Sequence, residues 1–246
     1  MFGKKVRYQS SEYVKSEVEE LVSSHHAEGI LFIDDNFVQN KMRLLEICSG
    51  IKRLGLKWTC LSRVDTLNRQ VLESMKQSGC VTVCFGVESG SQRILDSLNK
   101  KAKVEDTIKA FDLCREVGVK TWASIIVGSP AELKEDVELT NRLLQRIKPD
   151  YLEIFYLTPY RGTILYDQGV QQGWIMREKT NWLNDEPQVE INFTMEELVE
   201  IRKELLSKHY SKWRWAKGNL KNPLFVYDAL LSLVREPSLV FDWINR

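Results

Sequence analysis

Short apolar runs alternate along the chain with longer stretches in which apolar residues recur every three or four positions. The runs are Ile30–Ile33, Lys57–Leu61, Val81–Val87, Thr121–Val127 and Tyr151–Leu157. They are brief and rich in Val, Ile, Phe, Tyr and Trp, as strands of a buried parallel sheet are. Between them, Met42, Leu45, Ile47, Cys48, Ile51 and Leu54 mark one helix face. Val71, Leu72 and Met75 mark another, with Gly79 where a left-handed C-cap is wanted. Ile108, Phe111 and Val117 continue the scheme to Gly118, and Leu139, Leu143, Leu144 and Ile147 form a helix face that stops before Pro149. Ser89-Gly-Ser-Gln92 reads as a capping box that opens a helix straight after the third strand. Ahead of the first strand, Val14, Val18, Leu21 and Val22 give one more helix, ending near Gly29.

Strand–helix units joined by right-handed crossovers build a parallel sheet or barrel. The chain opens on a helix, whereas a complete unit would place a strand before it. Met-Phe-Gly-Lys-Lys therefore reads as the middle of a fold, or else as a true start whose helix caps the barrel. After Gly173 the pattern changes. Trp174, Trp182, Trp213, Trp215 and Trp243 all lie there. Thr194 opens a helix through Leu198, Ile201, Leu205 and Leu206, and Lys208, Lys212, Arg214 and Lys217 interleave with Tyr210, Trp213 and Trp215. Pro223 starts a last helix carrying Phe225, Leu230, Leu231 and Val234. The expected organisation is a barrel over residues 1–173 and a mainly helical extension over 174–246.

Composition narrows the function classes. The chain has 246 residues, 43% hydrophobic and 28% charged, the balance of an ordinary globular protein. Lys+Arg 35 against Asp+Glu 34 leaves a net charge of +1, which gives no reason to expect nucleic acid as a partner. No run is long enough to span a bilayer and no signal peptide pattern opens the chain, so a cytoplasmic location is expected. Five cysteines, an odd number, argue against a disulfide framework. Cys80 and Cys84 fall four apart within one strand, on one face by simple alternation, and read as buried thiols rather than metal ligands.

In a parallel barrel the active site lies at the C-terminal ends of the strands. There the chain carries Asp34, Asp35 and Asn36; Ser62, Arg63 and Asp65; Glu88, Ser89, Gly90 and Ser91; Gly128, Ser129 and Pro130; and Thr158 to Gly162. Carboxylates can accept from an ammonium or from ribose hydroxyls, Arg63 can hold a carboxylate bidentately, and Gly128 lets a flat ring approach the backbone. This rim suits a zwitterionic ligand that bears hydroxyls. Plainer roles stand beside these: Asp34 or Asp35 could cap the next helix, and Arg63 could simply pair with Asp65. Glu88, between apolar strand and a Gly-Ser turn, is expected to point into the barrel mouth.

Ile33-Asp34-Asp35-Asn36-Phe37, Trp58 with Arg63-Val-Asp65, Met75 to Cys80, Gly86-Val-Glu-Ser-Gly-Ser91, Ile126-Val-Gly-Ser-Pro130 and Thr158 to Thr163 stand in one order at strand–helix spacing. Together they resemble the radical S-adenosylmethionine superfamily, in its cobalamin-binding-domain branch of the anaerobic magnesium-protoporphyrin monomethyl ester cyclase type. The resemblance covers roughly Val6 to Gly173. It implies an α/β fold, a partial (β/α)6 TIM-like barrel lacking its first strand. S-adenosylmethionine would lie across the strand ends. The Asp34–Asn36 segment would meet its amino group, Arg63 its carboxylate, and Glu88 and Ser89 its ribose or methionine end. Ile126, Val127 and Gly128 would border its adenine.

The same resemblance implies a [4Fe–4S] cluster on a Cys-x3-Cys-x2-Cys loop, reductive cleavage of S-adenosylmethionine to a 5′-deoxyadenosyl radical, and a flavodoxin or ferredoxin as reductant. It also implies cobalamin held by a preceding domain and a small-molecule substrate; the aromatic and basic mix after Gly173 would suit a tetrapyrrole or lipid-like one or a membrane surface, or else is plain packing of Trp and Lys stems against the barrel. No such cysteine triplet stands in this sequence, which points to N-terminal truncation and to a chain inactive alone. The alternative is a cluster-free, catalytically silent S-adenosylmethionine-binding or scaffold protein. Pro130-Ala131-Glu132-Leu133 departs from the family's Pro-Gly-Glu-Thr. Leu133 lacks a helix-capping hydroxyl, and Ser129-Pro-Ala-Glu132 could serve as a substitute capping box.

Overall fold

A computed structural model describes residues 6–176 and 186–210. It divides into two compact units, Met1–Leu205 and Leu206–Arg246, and of the second only residues 206–210 are described. The first unit carries five strands among its described residues: β1 (Gly29–Phe32), β2 (Lys57–Ser62), β3 (Cys80–Glu88), β4 (Lys120–Val127) and β5 (Tyr151–Tyr156). All neighbours pair in parallel in the order β1-β2-β3-β4-β5. Each apolar run expected from the sequence is one of these strands, and the sheet is the half-barrel expected.

The connections are α1 (Ser11–His25) before β1, α2 (Lys41–Ile51) with a 3-10 turn, α3 (Arg69–Gln77), α4 (Gln92–Ser97) and α5 (Val104–Val117), and α6 (Lys134–Ile147). Among the described residues two helices, α7 (Ile164–Gln171) and α8 (Met195–His209), follow β5. Successive helices pack side by side, α1 on α2, α2 on α3, α3 on α5 and α5 on α6. They cover one face of the sheet. On β4 that face is Thr121, Ala123, Ile125 and Val127, all buried, while Trp122, Ser124 and Ile126 on the other face are half-buried. The helix-side core is built on aromatic contacts. Phe85 lies 5.2 Å from Phe111 of α5, Phe32 stacks on Phe37 at 4.3 Å, and buried Trp58 donates its indole N–H to the Ser78 carbonyl at 3.0 Å.

Two faces differ from simple periodicity. Cys80 and Cys84 do not share a side of β3. The β2–β3 register slips between Trp58 and Thr59, so Val81 is an extra residue and the alternation inverts after it. Cys80 faces the helices beside Cys60, while Cys84 joins Leu61 and Trp122 on the open face. On the helices, Met42 is 70% exposed and Leu139 43% exposed, while Arg43, Asp136, Thr140 and Asn141 are buried instead. Polar partners on neighbouring elements, described below, draw Asp136 and Thr140 inward, and Arg43 donates to the Gln9 carbonyl at 2.7 Å.

Helix starts also depart from the motifs. Neither Asp34 nor Asp35 caps α2; Asn40 does, its side chain accepting the Arg43 N–H at 3.1 Å. Ser89 does not cap α4, whose N-cap is Ser91. At α6 the N-cap is Leu133, without a side-chain cap, and Asp136 accepts its N–H at 2.8 Å. Thr194 and Glu197 do form a reciprocal box at α8, at 3.2 and 3.0 Å. Leu198 of α8 then packs over Gly128, and the Arg202 guanidinium lies 5.2 Å from the Tyr156 ring centroid. Trp182, Trp213, Trp215, Trp243, the basic residues Lys212, Arg214 and Lys217, and the helix expected after Pro223 lie outside the described residues. Among the described residues no helix is long and apolar enough to cross a membrane.

The Phe85–Phe111 contact sits where β3, α3 and α5 meet. Phe111→Ala should lower unfolding free energy by about 3–5 kcal/mol, against less than about 0.5 kcal/mol for exposed Met42→Ala, measured by urea denaturation.

Candidate active site

Parallel pairing brings the C-terminal ends of all five strands to one rim. At β1, Asp34 and Asp35 are exposed, while Asn36 is half-buried and its side-chain oxygen faces the Arg63 N–H at 3.5 Å. The Arg63 guanidinium donates twice to Asp65, at 2.9 and 2.7 Å, and once to the Lys100 carbonyl at 3.0 Å. These hydrogen bonds, helped by the opposite charge, hold the Asp65 carboxyl below the usual carboxylate range. Both side chains remain about a third exposed, so the pair adds little stability and serves mainly to fix the Arg63 fork.

The end of β3 is the most distorted backbone of the rim. The β3–β4 register slips between Gly86 and Glu88. Glu88 then adopts φ +62°, and the Ser89 N–H donates to the Val87 carbonyl across it at 2.8 Å. This is the strained form of a three-residue γ-turn. A left-handed backbone at a residue with a side chain costs about 1–2 kcal/mol. The bulge and the turn together re-aim the Glu88 carboxylate, which forms an ion pair with Lys100. Lys100 itself stands between two further left-handed residues, Asn99 and Lys101.

Ser89 takes a different place. It is 1% exposed, and its hydroxyl is shared between Thr140 of α6, at 3.2 Å, and the Ser91 N–H, at 3.1 Å. At β4, Ile126 lies on the half-buried face and Val127 is buried on the helix side. Gly128, at φ +89°, is free of a Cβ that would sit 3.2 Å from Leu198. Its N–H donates to Glu132 at 2.6 Å, and the Ser129 N–H donates to the same carboxylate at 3.3 Å. Glu132 is 1% exposed, and burial pushes its carboxyl up to about 7, against the pull of the two N–H groups.

Asn36, Arg63, Asp65, Lys100 and Glu88 thus form one contiguous rim. The Ser89 and Val127 side chains are turned away from the open face. Sequence reasoning missed Lys100, a loop lysine with no periodicity around it, whose meeting with Glu88 depends on chain reversal through α4. Glu132 had a signal: it reaches back to backbone N–H groups at capping-box spacing, but it secures the strand-end turn rather than a helix.

The residues present fit a zwitterion. A carboxylate and an ammonium, each partly exposed and paired with each other, can separate to take a ligand's ammonium and carboxylate. They do not fit a [4Fe–4S] cluster. Cys48, Cys60, Cys80 and Cys114 are buried and Cys84 is half-buried. Burial pushes the Cys48 thiol up to about 11 and those of Cys84 and Cys114 to about 12, the opposite of what thiolate ligation needs. Among the described residues no group of His, Cys, Asp or Glu is placed to hold a metal.

Residues 1–144 match the model of the Radical SAM superfamily. An uncharacterized methyltransferase of Pyrococcus horikoshii is 38% identical over 186 residues, 74% of this chain and 39% of that protein. The anaerobic magnesium-protoporphyrin IX monomethyl ester cyclase of Cereibacter sphaeroides is 30% identical over 68% of this chain and 28% of its own length. The chain therefore spans well under half of these relatives. Among solved structures, the radical S-adenosylmethionine methyltransferase TsrM of Kitasatospora setae, with cobalamin and a [4Fe-4S] cluster bound, superposes with TM-score 0.60. It is 17% identical over 70% of this chain and 33% of that one. Methylornithine synthase gives 0.56 at 15% identity, over 83% of this chain and 56% of that one, and both likenesses show the fold.

Glu132 carries a pH signature. Its carboxyl rises from an ordinary 4.5 to about 7 on folding, so the folded chain holds a proton that the unfolded chain has lost between those values. Stability should fall as pH rises through that window and level off above about 7. Glu132→Gln should remove this slope. Urea unfolding of both proteins at pH 5 and pH 8 should show their stability difference changing on the order of 3 kcal/mol in favour of the variant.

Proposed function

The chain belongs to the radical SAM superfamily, a family of enzymes, and we propose that it forms the S-adenosylmethionine-binding part of a methyltransferase-type member. The observation that carries the reading is the Glu88–Lys100 pair on a strained turn at the sheet's C-terminal rim. Strain kept at such a position is repaid when the displaced side chain meets a ligand. The methionine end of S-adenosylmethionine would part the two groups, its ammonium taken by Glu88 with the Asp34–Asn36 turn and its carboxylate by Lys100. Arg63 supports this arrangement from behind: its fork is held by Asp65, and the outer nitrogen that meets Asp65 also donates to the Lys100 carbonyl. Ile126, Val127 and Gly128 would offer backbone edges to the adenine, with Glu132 holding the Gly128 amide in place.

For the whole protein, the relatives support a reading of the chemistry without fixing it. The methyltransferase names among them, with TsrM and its bound cobalamin, favour methyl transfer to a small-molecule substrate, with an electron donor and cobalamin in the whole enzyme. None of the five cysteines suits the cluster, so the residues of this chain serve S-adenosylmethionine rather than iron.

Equilibrium dialysis with labelled S-adenosylmethionine tests the site. Glu88→Gln and Lys100→Ala should each weaken binding about tenfold or more, the effect of one lost charge-assisted hydrogen bond. Native affinity in both variants would sink the assignment. After anaerobic reconstitution with iron and sulfide, and with dithionite as reductant, this chain alone should release no 5′-deoxyadenosine. Release would show that some of its cysteines leave the core to bind iron.

A further inference from the structure

The inward face of α6 is apolar at its C-terminal end and polar at its start. Leu143, Leu144 and Ile147 are buried, as are Thr140 one turn earlier and Asp136 two turns earlier. Burying such groups is unfavourable unless each is hydrogen-bonded, and here each is. The Thr140 hydroxyl donates to the Asp136 carbonyl at 2.9 Å and accepts the Gly90 N–H at 2.9 Å. The Ser89 hydroxyl lies 3.2 Å from it. The Asp136 carboxylate accepts the Ser91 hydroxyl at 2.6 Å, pairs with Arg93, and also accepts the Leu133 N–H. Burial alone would raise its carboxyl, but these donors and the Arg93 charge outweigh it and hold the group below its ordinary value.

Four of these contacts end on residues 89–93, immediately after the left-handed turn at Glu88. The fit is close. A Cβ on Gly90 would lie 2.5 Å from the Thr140 Cα and from the Leu139 carbonyl oxygen, so residue 90 rests directly on the α6 backbone. The strained conformation of Glu88 is therefore held from one side by its γ-turn bond to Val87 and from the other by α6, which fixes the three residues that follow. Released from α6, Ser89–Ser91 could swing and Glu88 could relax to negative φ, which would carry its carboxylate away from the rim.

We propose that Thr140, with Asp136 behind it, is a positioning residue for ligand binding: it touches no ligand and acts by holding Glu88 in its left-handed conformation. The proposal rests on Glu88 being a ligand carboxylate.

A double-mutant cycle separates the two ideas. S-adenosylmethionine affinity is measured by equilibrium dialysis for Thr140→Val and Thr140→Ser, each alone and combined with Glu88→Gln. Thr140→Val keeps the shape but orphans the Gly90 N–H, and should weaken binding about tenfold, while Thr140→Ser stays within about twofold of native. In the Glu88→Gln background Thr140→Val should add less than about twofold, because the group it positions is already gone. An equal loss in both backgrounds would overturn the proposal, as would native affinity in Thr140→Val beside a weakened Glu88→Gln. Native affinity in Glu88→Gln would instead overturn the underlying site reading. If Thr140→Val does not fold, Ser91→Ala takes its place in the cycle. It cuts only the Asp136 link, with several-fold weakening expected and no weakening overturning the proposal.

Discussion

A parallel ladder whose strands follow one another in sequence order constrains everything else in this chain. Each connection must carry the chain back along the sheet, and with right-handed crossovers every helix arrives on the same face. That face closes into a continuous core around Trp58, Phe85 and Phe111, while the opposite face stays half-buried. The same geometry sends every strand-to-helix turn to one rim. Polar residues that are scattered over more than a hundred positions of sequence thereby become neighbours.

The polar groups of the rim are secured from behind. Arg63 is gripped by Asp65 and in turn holds the Lys100 backbone; Glu132 holds Gly128; α6 holds the turn after Glu88. Each arrangement spends a buried or half-buried polar group on backbone geometry rather than on hydrophobic burial. Such networks are expensive to leave incomplete, which makes them specific. Glu88 and Lys100, partly exposed and paired with each other, are the residues that the proposed site asks to exchange their mutual pair for a ligand.

Much of this was legible in the sequence. All five strands, the helices between them and the rim residues other than Lys100 follow from periodicity and from the placement of polar residues after apolar runs, because a strand buried by a helix layer must be apolar whatever lies around it. The ordered motifs from Ile33 to Thr163 sufficed for the family. The side chosen by Cys80, the helix face chosen by Asp136 and Thr140 over Leu139, and the cap chosen at α2 were not legible. A bulge at Val81 inverts alternation without leaving a compositional mark, and a polar residue turns inward only if partners await it on another element.

What the sequence by itself determined is the alternating α/β plan, the single rim and the absence of a cysteine triplet. Those depend on local pattern and spacing. What only the tertiary structure decided is which side chains meet at that rim: Glu88 with Lys100 instead of with solvent, Arg63 with the Lys100 backbone, Ser89 with Thr140 inside the molecule. Each of those choices is a contact between residues distant in sequence or a left-handed backbone held by such a contact. Local propensity opposes the left-handed turn at Glu88, and the packing of α6 against Gly90 holds it in place.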